Sequence, residues 1–261
     1  MKVLHIWNTA GVAGNIAEYL NEFYQVKGLV LWRKKYDPYG LKRRHVKFVG
    51  GGTLYFHLVC FVHAIFYDVI HFHSIDRWLF IYRLLFPRKK VIIHYHGSDI
   101  RNKWRKNKKN WIWANDIIIS TPDLADDETP LGKINYIPNM VNHRLCKIFY
   151  YNDKIKGSAF HINIGALDEA LEIARKRRLR LNVLSGSMSH YVLLKNLSYY
   201  EYYIDIKRHD GEILEAYSLT GLEAFNMNVK VINWNNEGKG IMPKGFRPRD
   251  VASELMRVYN G

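Results

Sequence analysis

Glu215 and Glu223 are separated by seven residues within GEILEAYSLTGLEAFNMNVKVINW, residues 211–234. This stretch reads as a polar loop, a helix opening at SLTGLEA, a break over residues 226–228 and a buried strand, VKVINW. The first amide N–H groups of a helix lack intrahelical partners, and the helix dipole adds positive charge there. A loop entering such a start is a site for a phosphate or another anion. Flanking carboxylates do not serve the phosphate, but they accept hydrogen bonds from sugar hydroxyls. A structural role competes with this one: Thr220-x-x-Glu223 is also a capping box, with Thr220 closing the helix start and Glu223 reaching back to it.

Other chemistry-bearing residues fall at strand ends. The opening MKVLHIWNTAGVAGNIAEYL passes from an apolar strand through a turn with Gly11 and Gly14 into a helix. That order brings main-chain amides to a ligand at the carboxyl edge of a parallel sheet. Two more strands, DVIHFH (68–73) and KVIIHYH (90–96), end in the polar turns HFHSID and HYHGSD. His71, His73, His94 and His96 raise the question of zinc. Alternation puts His94 and His96 on one side of their strand and Tyr95 on the other. No cysteine or third-ligand spacing joins them, so no metal is expected.

The chain of 261 residues carries a formal charge of +15, which favours anionic partners. RNKWRKNKKNWIWA (101–114) mixes this charge with Trp104 and Trp111, which share one face of a helix. Such a helix suits an anionic lipid interface or stacks on single-stranded nucleic acid; alternatively the tryptophans pack inward and the lysines are solvated. The basic stretch 33–47, with Tyr36 and Tyr39, reads as a solvated loop or as a face for acidic lipid or acceptor. Cys60 and Cys146 supply neither a disulfide framework nor metal spacing, which fits a reducing interior. The start is not a signal peptide. Residues 55–70 are apolar but interrupted by His57, His63 and Asp68, and read as a buried helix running into a strand.

The elements that must position these residues alternate as strand and helix. In the first half, strands are expected at 2–7, 29–32, 68–73, 90–96 and 116–120, with a helix at 77–85. The second half repeats the pattern with strands at 159–164, 181–184 and 229–233 and helices at 167–178 and 249–259. Asp168 and Glu169 open the first of those helices and residues 175–178 close it with arginine and lysine, as the dipole favours. Gly165 and Gly186 sit at strand ends, Gly186 within the SGS turn 185–187.

E-x7-E followed by Ala224, a short break and a V-x-V-I strand resembles the donor-binding motif of GT-B-fold glycosyltransferases of the family 4 type. The D-V-I-H-x-H and H-G-S-D runs, the first glycine turn and INYIPNMV (134–141) resemble other stretches of that family. The resemblance implies an α/β chain of two Rossmann-like domains facing a cleft: an acceptor-side domain over 1–146 and a nucleotide-sugar domain over 147–261. It implies an enzyme that moves a sugar from a nucleotide diphosphate to an acceptor hydroxyl with retention, without a metal or cofactor. Glu215 would hold sugar hydroxyls, Glu223 the ribose, and Ser218, Leu219, Thr220 and Gly221 the diphosphate. His96 would sit over the sugar, and Gly11 and Gly14 would let the first loop approach the donor. His73, Asp99, Arg101 and Gly186 are secondary candidates.

The chain departs from the family where an Arg and a Lys usually clamp the diphosphate early in the second domain. FHINIGALDEAL stands there, leaving Lys154, Lys156 or Arg101 as substitutes. Met140 and Asn228 replace usual glycines, and Asn tolerates the left-handed conformation that ends a helix. The acceptor, whether lipid, glycan or protein, is open. The expected location is cytoplasmic, peripheral at a membrane through residues 101–114, and nucleic acid is disfavoured. The alternative is a non-catalytic GT-B-like module that binds nucleic acid or an anionic membrane.

Overall fold

A computed structural model describes residues 1–33, 45–186 and 188–261. Most of the basic stretch, including Tyr36 and Tyr39, and Ser187 of the SGS turn fall outside these residues. Two compact units are present: residues 1–140 with 247–261, and residues 141–246. The expected division was a single crossing at 146/147; instead the last helix belongs with the first unit.

In the first unit, β1 (Lys2–Ile6), α1 (Val12–Tyr24), β2 (Lys27–Trp32), β3 (Val46–Phe48), α2 (Thr53–Ala64), β4 (Val69–His73), α3 (Leu79–Leu85), β5 (Lys90–Tyr95), α4 (Trp104–Trp111), β6 (Asp116–Ile119) and β7 (Ile134–Tyr136) follow in order. The strands form one parallel sheet, β3-β2-β1-β4-β5-β6-β7. Alternation along the strands makes two apolar layers. Leu4, Ile70, Phe72, Val91, Ile93 and Tyr95 pack with α2, α3 and α4. Val3, Val69, Ile92 and Ile118 pack with α1 and the closing helix.

The second unit runs α5 (His143–Ile148), β8 (Ile155–Ile162), α6 (Leu167–Lys176), β9 (Arg180–Leu184), α7 (His190–Leu197), β10 (Tyr200–Ile204), β11 (Arg208–His209), β12 (Glu212–Ile213), α8 (Leu219–Asn226), β13 (Lys230–Ile232) and β14 (Gly238–Lys239). Its sheet order is β14-β13-β10-β8-β9, parallel except for β14, while β11 and β12 form a separate hairpin. The chain then returns as α9 (Pro248–Asn260), whose Val251, Leu255 and Val258 complete the core of the first unit. Lys90 Nζ donates to the carbonyl of Val258, placing a cation where the helix dipole wants one.

One reading left open by the sequence is decided here, and one expectation is corrected. Trp104 and Trp111 share a face of α4, but that face points into the core. Their indole N–H groups donate to the carbonyls of Leu124 (2.6 Å) and Trp104 (2.9 Å), so burial costs them no hydrogen bond. The helix α2 is not wholly buried: Phe56, Cys60 and Ala64 face the sheet, whereas Tyr55, Leu58, Val62, Ile65 and Phe66 form an outward stripe, each more than half exposed. Among the described residues, no helix is long and apolar enough to cross a membrane.

Candidate functional site

In the second unit the candidate residues gather at the start of α8. Ser218, not Thr220, is the N-cap: its Oγ accepts the Gly221 N–H at 2.9 Å. The capping-box reading therefore fails, because the helix opens two residues early and Glu223 lies beyond the N3 position such a box uses. Glu223 is buried, and its Oε1 meets Nε2 of His190, on α7, at 2.7 Å. The N–H groups of Leu219 and Thr220 have no partner among the described residues. Glu215 is exposed on the segment between β12 and α8.

Asp205, just past β10, was not singled out from the sequence. Its buried Oδ2 accepts the Ser218 N–H at 2.8 Å, beside the helix start. Burial raises its pKa, opposed first by the charge of Lys207. Lys207, three residues past β10, thus brings positive charge to this strand end. The substitutes considered for the missing clamp are otherwise engaged. Lys154 Nζ donates to the carbonyls of Ser198 and Met227, both at 2.7 Å, and burial lowers its pKa to about 8. Lys156 is near the amino end of β8, and Arg101 is paired with Asp123. Gly186 follows β9 with φ of +119°, and Asn228 ends α8 at +59°.

In the first unit the strand ends hold a second constellation. His96 and Gly97 donate their backbone N–H groups to Asp99, at 3.0 Å (Oδ2) and 2.7 Å (Oδ1). His96 Nδ1 lies 2.7 Å from Asn139 Oδ1, and its Nε2 lies 3.1 Å from His73 Nδ1. His73 Nε2 in turn meets His5 Nδ1 at 3.1 Å. Neither His5 nor Asn139 was read from the sequence, because His5 arrives from β1 and Asn139 from the segment after β7, both distant along the chain. Gly11 caps α1 with φ of +78°, and Gly14 gives its N–H to Asn8 Oδ1 at 3.1 Å, so this turn is stabilised internally.

Burial holds all five histidines below the ordinary imidazole range. His5 is lowered to about 3; His71, His73 and His94 also fall well below. For His96 the same desolvation is opposed by Asp99 and Asn139. On the other side of the sheet is a pocket of about 480 Å³, lined by Trp7, Phe56, His57 and Trp78 with Arg33 and Arg77. Aromatic faces with two guanidinium groups suit an apolar or sugar ligand that carries a negative charge.

No protein-family model and no curated protein matches the sequence. Solved structures do. An α-glucosyltransferase in complex with UDP and a 13-mer DNA containing a central A:G mismatch is similar at 10% identity, over 99% of this chain and 90% of that one, with a TM-score of 0.57. The N-terminal domain of Candida albicans trehalose-6-phosphate phosphatase is similar at 9% identity, over 99% and 90%, with a TM-score of 0.54. The UDP-GlcNAc 2-epimerase of Methanocaldococcus jannaschii is similar at 11% identity, over 100% and 93%, with a TM-score of 0.47. With the two parallel α/β sheets, the first two likenesses define the class: the chain has the GT-B fold.

Proposed function

We propose that this chain is a retaining glycosyltransferase that moves a sugar from a nucleotide-diphosphate donor to an acceptor hydroxyl. The observation that carries the reading is the start of α8, where two free N–H groups sit between an exposed carboxylate, Glu215, and a buried one, Glu223. The diphosphate takes the amides of Leu219 and Thr220, since Ser218 and Gly221 have already spent theirs. Lys207 supplies the cation that the family takes from its Arg and Lys. Fixed donors of this kind stabilise charge growing on the departing diphosphate, each by about 3 kcal/mol. Glu223, steadied by His190, binds the ribose; Glu215 grips sugar hydroxyls. In the first unit the catalytic role falls to His96, whose ring is fixed by Asn139 and supported by His73 and Asp99.

A panel of UDP-, GDP- and ADP-sugars in a thermal-shift assay tests the donor. One nucleotide sugar is expected to raise the melting temperature. Glu223→Ala should abolish the shift, and Lys207→Met should weaken binding at least about tenfold by removing a charge-assisted contact. If no nucleotide sugar shifts the protein, the reading falls. The carboxylate of Asp205 at the helix start and the lost clamp favour the rival, a non-catalytic module. Salt-sensitive binding of nucleic acid without any nucleotide response would establish that instead.

The acceptor in this reading is lipid-borne and carries a negative charge near the hydroxyl. The pocket with Arg33 and Arg77 is built partly by α2, the helix whose outward stripe is apolar. An exposed apolar stripe on a chain of charge +15 suits an anionic membrane. Contact thus runs through α2, not through the tryptophans of α4. Co-flotation with phosphatidylglycerol vesicles is the measurement. The double variant Leu58→Glu, Phe66→Glu should stay unbound, whereas equal flotation of variant and parent would refute the contact.

A further inference from the structure

We infer that His73, His94 and His96 form a binding site for a divalent transition-metal ion. The three side chains each offer a ring nitrogen, and these atoms lie within 4.8 Å of one another. Their geometry comes from the sheet: His73 and His94 are register partners on β4 and β5, and His96 extends the same face one step past β5. The rings of His94 and His96 are 4.1 Å apart, and those of His73 and His96 are 5.3 Å apart.

Hydrogen bonding prepares the ligands. Asn139 Oδ1 is an acceptor only, so the Nδ1 of His96 carries the proton and its Nε2 presents a lone pair. That lone pair faces His73 Nδ1 at 3.1 Å, close to the edge of a tetrahedron around an ion with Zn–N bonds of about 2.0–2.1 Å. When His73 Nδ1 takes the metal, its proton moves to Nε2 and is donated to His5 Nδ1, 3.1 Å away; His5 then carries its own proton on Nε2. Both outer partners, Asn139 and His5, are thus of the kind that orients a metal-bound imidazole.

His94 supplies the independent observation. It is fully buried, and among the described residues neither of its ring nitrogens has a hydrogen-bond partner. Leaving a buried polar group unsatisfied is destabilising, and ligation removes that cost for one nitrogen. His96 is only partly buried, which gives an ion a route in. Three imidazoles with one open position suit Zn²⁺, Co²⁺ or Ni²⁺. The site uses the first unit alone and stands whether or not the chain transfers sugars.

Chelator-treated full-length protein should be titrated with ZnCl₂ by calorimetry and with CoCl₂ by visible absorption. The expected result is one ion per chain and the intense bands of four-coordinate Co²⁺. His94→Leu loses no hydrogen bond, so it should fold normally and bind at least about 100-fold more weakly. Asn139→Ala should weaken binding about 10- to 100-fold by releasing the ring of His96. His63→Ala, outside the cluster, should bind as the parent does. Absence of uptake by the parent, or equal uptake by folded His94→Leu, would overturn the inference.

Discussion

Between about pH 7.5 and pH 5.5, chelator-treated protein should lose about 5 kcal/mol of stability, with the loss confined to the first unit. The source is the histidine layer. An unfolded histidine takes its proton near pH 6.5, but burial holds His5 to about 3 and His71, His73 and His94 well below 6.5. Their stabilising contribution is complete above the unfolded value. It is lost as pH falls below 6.5 towards the folded values, because the unfolded chain binds protons first. Each group contributes a slope approaching about 1.4 kcal/mol per pH unit. Four such groups rival the whole stability of a typical domain, about 5–15 kcal/mol. Of the seven tryptophans all but Trp234 lie in the first unit, so fluorescence reports its unfolding. His94→Leu should both shift the acid midpoint downward and raise neutral stability, since it removes two orphaned nitrogens. Matching acid midpoints for variant and parent would rule this account out.

Gly221→Ala should cost the second unit about 3 kcal/mol or more and abolish nucleotide-sugar binding. Helix propensity alone predicts the opposite sign, a gain of about 1 kcal/mol for alanine over glycine. The reversal comes from one neighbour: a Cβ at position 221 would stand 2.1 Å from Asp205 Oδ2 and 2.9 Å from its Cγ. Asp205 is buried and holds the Ser218 N–H, so its carboxylate cannot swing away without releasing the helix cap. Chemical denaturation of a double-mutant cycle with Asp205→Ala isolates the clash. The alanine at 221 should cost at least about 1 kcal/mol less once the carboxylate is gone. Strict additivity of the two substitutions would contradict the mechanism.

The fold was legible because strand and helix alternate with clear punctuation. Glycine at 11 and 186, and asparagine at 228, stand where positive φ is needed. The histidine layer was only half visible. Alternation places His94 with His96, but His5 joins them through the pairing of β1 with β4, a contact between residues 68 apart that local spacing cannot reveal. Trp104 and Trp111 illustrate a different limit. Periodicity shows that two side chains share a face, but not which way that face points; here the carbonyl of Leu124 rewards the inward choice. Lys207 escaped notice because the family pattern directs attention to an earlier segment. Its position becomes meaningful only once Asp205 and the start of α8 are brought to one strand end.

The return of α9 has a consequence for synthesis. Residues 141–246 form one continuous run and can fold as soon as they emerge from the ribosome. The unit begun earlier cannot finish until residues 247–261 have been made, because Val251, Leu255 and Tyr259 cover its apolar sheet face and Tyr259 caps His71 at 2.7 Å. Meanwhile the nascent amino-terminal half bears an uncovered greasy surface, a substrate for chaperones during translation.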